Sequence, residues 1–273
     1  MLRNCVGLPV GEPQKIGATT SAAALDNLRL PRFISGSNAA RVAHERTNRM
    51  PIITRPPVSP AVLDEIQRAE RMHNFILRTI PDKFLSDTDE KILVAAFFSL
   101  SLEHHGAILH LIREGQFDGS AFALVRPLID AAYRAHWIYA CAKPEIVLRI
   151  KKGEDVYPGL PNMASEIEKR SDAGGIFATI GPYLRALHGY THGGLEQLGR
   201  RFDAAGNVRA NYSDGEKCEA IKATTGHLTA LAVAWCQLVS TDAPEKEPRS
   251  KAISDYYIAL YEKCTKEATG QQS

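Results

Sequence analysis

The chain has 273 residues, of which 44% are hydrophobic, 23% charged and 7% aromatic, a composition that supplies a large apolar core. Because 33 basic residues nearly balance 31 acidic ones, the net charge of +2 gives no global signal for binding to nucleic acid or to a membrane surface. The five cysteines include no CxxC pair, which argues against a zinc ribbon or a disulfide framework and favours a reduced, cytoplasmic protein.

Residues 1–57 are rich in Gly, Pro, Ser, Ala and Arg, poor in acidic residues and without sustained periodicity. This composition predicts a flexible N-terminal arm, followed by a single helical-bundle domain over residues 58–273. An amphipathic targeting peptide, or a chain that truly starts at Met50, are alternative interpretations of the arm.

A helical pattern begins at Ser59-Pro60, an N-cap residue followed by proline at the first helical position, and ends before Pro81. Ser213 and Glu216 form a capping-box pattern ahead of a helix that is apolar nearly all round, which favours a central position. The expected fold is all-α, a mostly antiparallel bundle of about five long helices with short ones between them. The remaining predicted helices span residues 86–114, 118–142, 144–152, 164–172, 176 or 182 to 192, and 248–266.

The run from Ile92 to Ile112 is the most apolar in the sequence. It contains Glu103 and three histidines, so the prediction is a buried helix rather than a membrane span.

One segment carries basic side chains at helical spacing: Arg185, His188 and His192, at i, i+3 and i+7, here called the basic stripe. These offsets lie on one face of a helix, because seven residues come within about 20° of two full turns. A structural interpretation is that the stripe caps the helix end, with Gly193 as the left-handed cap residue. A functional interpretation is acid/base chemistry on a phosphodiester, in which arginine holds the phosphate and histidine moves a proton.

The basic stripe resembles the arginine–x4-6–histidine signature of HEPN ribonucleases, helical toxins and antiphage effectors, because six residues separate Arg185 from His192. The resemblance implies that these two residues form the catalytic pair, and that two protomers bring their motifs together into one RNA-cleaving site. Many family members have a polar residue after the arginine, where this chain has Ala186. The segments around Tyr190-Thr-His-Gly-Gly and Leu124-Val-Arg-Pro also look like uncharacterised bacterial helical families.

Two further groups of residues are candidates for chemistry. Arg126, Asp130 and Arg134 have i, i+4, i+8 spacing, which predicts an ion-pair ladder; Arg126 and Asp130 are alternatively supports for the basic stripe. The second group consists of Glu103, His104, His105 and His110. Together with His188 and His192 on another helix, these residues could form a metal site between helices. The simpler interpretation has one of the adjacent histidines 104 and 105 packed in the core and the other solvated. His44, His73, His136 and His227 are isolated in the sequence and are interpreted as structural residues. Tyr256, Tyr257 and Tyr261 are interpreted as packing residues or as an oligomer surface.

The sequence therefore predicts a HEPN-like, metal-independent endoribonuclease without a cofactor, acting as a homodimer on RNA in toxin or defence systems. Its site residues are Arg185, His188 and His192, with Arg126, Asp130 and Tyr190 in support. A protein partner or antitoxin is expected, and no membrane. The alternatives are a non-catalytic helical scaffold or regulatory protein, and a metal-dependent helical-bundle hydrolase.

Overall fold

A computed structural model describes residues 57–80, 88–170, 184–192, 194–202, 208–240 and 248–269; for residues 184–186, 195, 196 and 262–269 it describes the backbone only. The predicted arm, apart from residue 57, lies outside these ranges. Within them the chain is helical, and the one β contact is an isolated bridge between Phe202 and Val208. The helices in chain order are α1 (Pro60–Thr79), α2 (Asp89–Arg113), α3 (Asp118–Ala140), α4 (Pro144–Lys151), α5 (Leu160–Arg170), α6 (Leu184–Thr191), α7 (Leu195–Gly199), α8 (Asp214–Val239) and α9 (Pro248–Thr269).

Five long helices, α1, α2, α3, α8 and α9, form the bundle, as predicted. Helix α8 packs against the other four, and α2 and α3 make the most extensive pairing. The short turn between α2 and α3 passes through Gly115 at φ 67°, a left-handed conformation that glycine adopts without a steric penalty. The all-α class expected from the sequence is therefore confirmed.

Local capping chemistry sets where the helices begin. Ser59 accepts a hydrogen bond from the Val62 amide ahead of Pro60, and Thr88 caps α2 in the same way. At α8 the predicted capping box is complete, because the Ser213 hydroxyl accepts from the Glu216 amide while the Glu216 carboxylate accepts from the Ser213 amide.

Helix α8 occupies the centre that its all-round apolar pattern predicted. Leu228, Leu231 and Trp235 are fully buried in one continuous core shared by all five long helices. The tyrosines of α9 are packing residues, as expected: Tyr257 and Tyr261 are buried, and the Tyr256 ring stacks on Phe75 at 4.1 Å.

The predicted boundaries of α5 and α3 differ from the structure by two residues or more, and the predicted start of α2 cannot be compared with it. Helix α5 begins at Leu160 rather than at residue 164, because Pro161 falls in the first turn, where a proline costs no intrahelical hydrogen bond. Helix α3 ends at Ala140, two residues before the expected end. The predicted start of α2 at Ser86 lies outside the described residues.

Among the described residues, one helix, α2, is long and apolar enough to cross a membrane by length and composition. Such a helix is weak evidence on its own, because core helices pass the same test. Only 33% of its most apolar window is buried, so the expectation of a buried helix is met in part.

Candidate functional site

The basic stripe lies on α6, a short helix that rests on α3. Leu187 and Tyr190 are buried, and the Tyr190 ring lies 5.5 Å from Phe122 of α3. The Thr191 hydroxyl lies 3.4 Å from the Ala123 carbonyl, to which it donates, and 3.0 Å from that of Leu187. One face of α6 is thus fixed to the bundle, and the opposite face is left to solvent.

That outer face carries two histidines side by side, here called the histidine pair, His188 and His192. Their ring centroids are 4.4 Å apart with an angle of 53° between the planes, and both side chains are exposed. No hydrogen bond from the described residues reaches a ring nitrogen of either one. Since a neutral imidazole offers one acceptor and one donor nitrogen, the histidine pair presents both functions to solvent at one point.

The C-terminal end of α6 is closed by its own backbone. The His192 amide donates to the His188 carbonyl at 3.1 Å, and the Gly194 amide donates to the Gly189 carbonyl at 2.7 Å. The second bond joins residues five positions apart, the same separation as in the 6→1 hydrogen bond of a Schellman motif. The predicted Gly-Gly stop therefore falls at the end of the helix. Gly193 itself lies outside the described residues.

The other predicted site residues on α6 have different positions. Arg185 belongs to the helix backbone, in phase with His188 and His192, but its side chain lies outside the described part of the chain. Tyr190 is 2% exposed and packs in the core, so it positions α6 instead of facing solvent beside the histidines. Its predicted supporting role is therefore limited to holding the helix.

Arg126 and Asp130 form the first rung of the predicted ladder. The Arg126 Nε donates to both carboxylate oxygens of Asp130 at 2.9 Å, and these residues follow Ala123 on the side of α3 that meets α6. No hydrogen bond joins Asp130 to the histidine pair within the described ranges. The second rung was predicted wrongly, because the Arg134 guanidinium lies over the Tyr157 ring, 4.4 Å from its centre.

A histidine pair that the sequence did not predict, with His105 buried and His73 half-buried, joins three helices. His105 Nε2 lies 3.0 Å from Thr225 Oγ1, and the Thr225 hydroxyl donates to the Ile221 carbonyl, so His105 carries its proton on Nε2. His105 Nδ1 therefore accepts from His73 Nδ1 at 3.0 Å, and the two rings stack. Full burial, together with His73, lowers the pKa of His105 to about 3.

A second histidine pair, in which both residues are buried, lies between α3 and α8. Burial lowers the pKa of His136 to about 3, with a further contribution from nearby His227, and burial lowers the pKa of His227 to about 4. The Tyr133 ring lies 5.6 Å from that of His227. His136 and His227 are core residues, as their structural interpretation expected, but His73, His136 and His227 each lie near a histidine on another helix, which no short sequence spacing reveals. His44 lies outside the described residues.

The predicted metal site is not assembled in the part of the chain that the structure describes. No group of three or more His, Cys, Asp or Glu side chains is placed there to hold a metal ion. His105 is turned into the core, and burial lowers the pKa of its half-buried neighbour His104. The prediction that one of the two adjacent histidines packs in the core is confirmed for His105. His104, which was expected to be solvated, is only partly exposed.

The fold and the site define an all-α protein with an exposed histidine pair on a short helix at the side of the bundle. The chain belongs to a family of unknown function, DUF6988, whose family model matches residues 98–261. The match begins within α2 and ends within α9, so it includes the basic stripe but not α1. Comparisons with curated proteins and with solved structures found no match.

Proposed function

We propose that the protein is a metal-independent endoribonuclease of the HEPN type. The observation that supports this proposal best is the histidine pair: two exposed imidazoles, 4.4 Å apart, on a helix whose other face is fixed to the core. A general acid and a general base are the two groups that phosphodiester transfer needs near neutral pH.

The reaction uses the RNA as its own nucleophile. One imidazole accepts the proton of the 2′-hydroxyl, whose oxygen attacks the adjacent phosphorus, and the bond from phosphorus to the 5′-oxygen breaks. The second imidazole donates a proton to the leaving 5′-oxygen, so that the products are a 2′,3′-cyclic phosphate and a 5′-hydroxyl. His192 and His188 are the proton carriers, and Arg185 binds the phosphate and stabilises its developing charge.

The complete site forms between two copies of the chain. Helix α6 presents one histidine pair on its outer face, and a two-fold contact at this face brings two basic stripes together around one phosphate. Arg126 and Asp130 pair with each other on the face of α3 that carries Ala123, to which α6 is bound, and in this proposal they have a supporting role. A toxin or defence role, with an antitoxin partner, is the biological setting that we propose for this activity.

The test is cleavage of a single-stranded RNA by the full chain in EDTA. We expect wild type to cut, His192→Ala to lose at least a hundredfold in rate, and His110→Ala to cut like wild type. His110 is a suitable control because it is an exposed histidine on α2, outside the proposed site. Equal rates for the His192 variant and wild type would reject the proposed catalyst.

One observation favours a second candidate, a non-catalytic scaffold or regulatory protein. The bond from the Gly194 amide to the Gly189 carbonyl shows that the motif closes its own helix, which gives its Gly-Gly ending a purely structural purpose. For a scaffold, purified wild type would not cut RNA, and His192→Ala would leave partner binding intact.

A further inference from the structure

Three of the seven large apolar side chains that are exposed among the described residues lie on neighbouring segments, at the start of α3 and along and just after α7. Phe117 is 44% exposed at the start of α3, Leu198 is 55% exposed on α7, and Phe202 is 43% exposed at the bridge that follows α7. Exposed apolar side chains that lie together on one surface, unlike single ones, mark a candidate binding site.

These three side chains lie on segments that are held together. The Gln197 amide side chain donates to the Gly119 carbonyl at 3.0 Å, which fixes α7 to the first turn of α3. The Arg201 guanidinium lies against Gly119 as well: a methyl group added there would be 2.5 Å from its Nη2. Beyond Arg201, the Asn211 side chain donates to the Phe202 carbonyl at 3.0 Å, so the bridge is also anchored.

The charge of this end is supplied by arginine. No carboxylate in the described ranges pairs with Arg201, whereas neighbouring Arg200 is paired with Glu216. Tyr212, whose ring lies under the Arg200 guanidinium, is buried, and Arg200 and Arg201 are both half-buried. Exposed aromatic rings, together with a guanidinium that pairs with no carboxylate of the described residues, are suited to bases and phosphates, because every base has a face that stacks and every linkage carries a negative charge.

The surface continues directly from the histidine pair. The Gln197 and Leu198 amides of α7 donate to the Gly194 carbonyl, at the closed end of α6, at 3.1 and 3.0 Å. An RNA strand that placed one phosphate at His192 would extend its neighbouring nucleotides across this end of the bundle.

We propose that Phe117, Leu198, Arg201 and Phe202, here called the aromatic end surface, bind single-stranded RNA that flanks the cleaved linkage. The two phenylalanine rings stack on bases and Arg201 binds a phosphate, so recognition does not depend on base sequence. This inference takes its substrate class from the proposed function, but it concerns binding and is tested separately.

The test measures binding of a fluorescein-labelled 12-nucleotide single-stranded RNA to the His192→Ala chain in EDTA, so that cleavage does not enter. Adding Phe202→Ala or Phe117→Ala is expected to weaken binding about tenfold each. Adding Arg201→Gln is expected to weaken binding and to reduce the slope of log K against log salt by about 0.7. Leu148→Ala, which removes a side chain that is 46% exposed on α4, is the matched control and leaves binding unchanged.

A duplex of the same sequence, whose bases are stacked on each other, is expected to bind more weakly than the single strand. Its binding is also expected to be insensitive to Phe202→Ala.

Equal binding by the surface variants and their parent, or no binding by the parent, overturns the inference. So does a Phe202→Ala chain that loses self-association while its RNA affinity stays the same, because the surface would then join two copies. Since Phe117 is the N-cap residue of α3, Phe202→Ala decides the test if Phe117→Ala unfolds.

The two proposals fail in different ways. RNA binding through the aromatic end surface without cleavage by wild type supports this inference and rejects the ribonuclease. Cleavage that depends on His192 but is unaffected by the surface variants supports the ribonuclease and rejects this inference.

Discussion

At the residue scale, the buried histidines make stability depend on pH. The pKa values of His105, His136 and His227 in the folded protein are about 3, about 3 and about 4, against an ordinary value of 6.5. Between pH 6.5 and these values the unfolded chain binds protons that the folded chain does not. Stability is therefore fully present above pH 6.5 and falls as the pH drops toward 4.

This dependence is measurable by urea unfolding at pH 7.5 and pH 5. We expect the wild-type midpoint to be clearly lower at pH 5, and His227→Leu to reduce this difference because one of the buried titrating groups is gone. His110→Ala, which removes an exposed histidine, keeps the wild-type difference. A wild-type midpoint that is the same at both pH values contradicts the assignment of neutral buried histidines.

Gly119 controls the position of Arg201. In Gly119→Ala the new methyl group lies 2.5 Å from the Arg201 guanidinium, which moves aside at little cost because it is the end of a flexible side chain. The variant keeps every charge and gains helix propensity, so the free energy of unfolding is expected to stay within about 1 kcal/mol of wild type. Affinity for single-stranded RNA is expected to fall severalfold, measured by fluorescence anisotropy; unchanged affinity would place the RNA elsewhere.

At the element scale, the capping box of α8 makes a measurable contribution to the free energy of unfolding. Ser213→Ala removes the hydroxyl that accepts from the Glu216 amide at 3.2 Å, and is expected to lower the free energy of unfolding by about 1 kcal/mol. Ser99→Ala, at an exposed position within α2, is the control and is expected to change stability by about 0.5 kcal/mol or less. Chemical denaturation with equal results for the two variants would contradict the role of the cap.

The sequence predicted those features of the elements that depend on neighbouring residues. Ser59-Pro60 and the Ser213/Glu216 box were read correctly, because capping chemistry is complete within four residues. The histidine pair on α6 was also read correctly, since it depends only on the spacing of His188 and His192. Contacts between distant elements could not be read in this way: the His73–His105 bond spans 32 positions.

At the scale of the whole molecule, the proposed site requires two copies of the chain. The rate of RNA cleavage per protomer is therefore expected to be constant at high protein concentration and to fall on dilution, as dimers dissociate. Native mass, measured over the same concentrations, is expected to fall from dimer to monomer in parallel. A rate per protomer that stays constant while the mass shows a monomer would contradict the composite site.

The most direct test of the central claim uses a DNA oligonucleotide that contains a single ribonucleotide, in EDTA. The proposed reaction predicts one cut, after the ribonucleotide, by wild type and His110→Ala, and at least a hundredfold slower cutting by His192→Ala. A 2′-O-methyl group on that ribonucleotide is predicted to abolish the cut, because it removes the nucleophile. Cutting that survives either the methyl group or the loss of His192 would contradict the ribonuclease assignment.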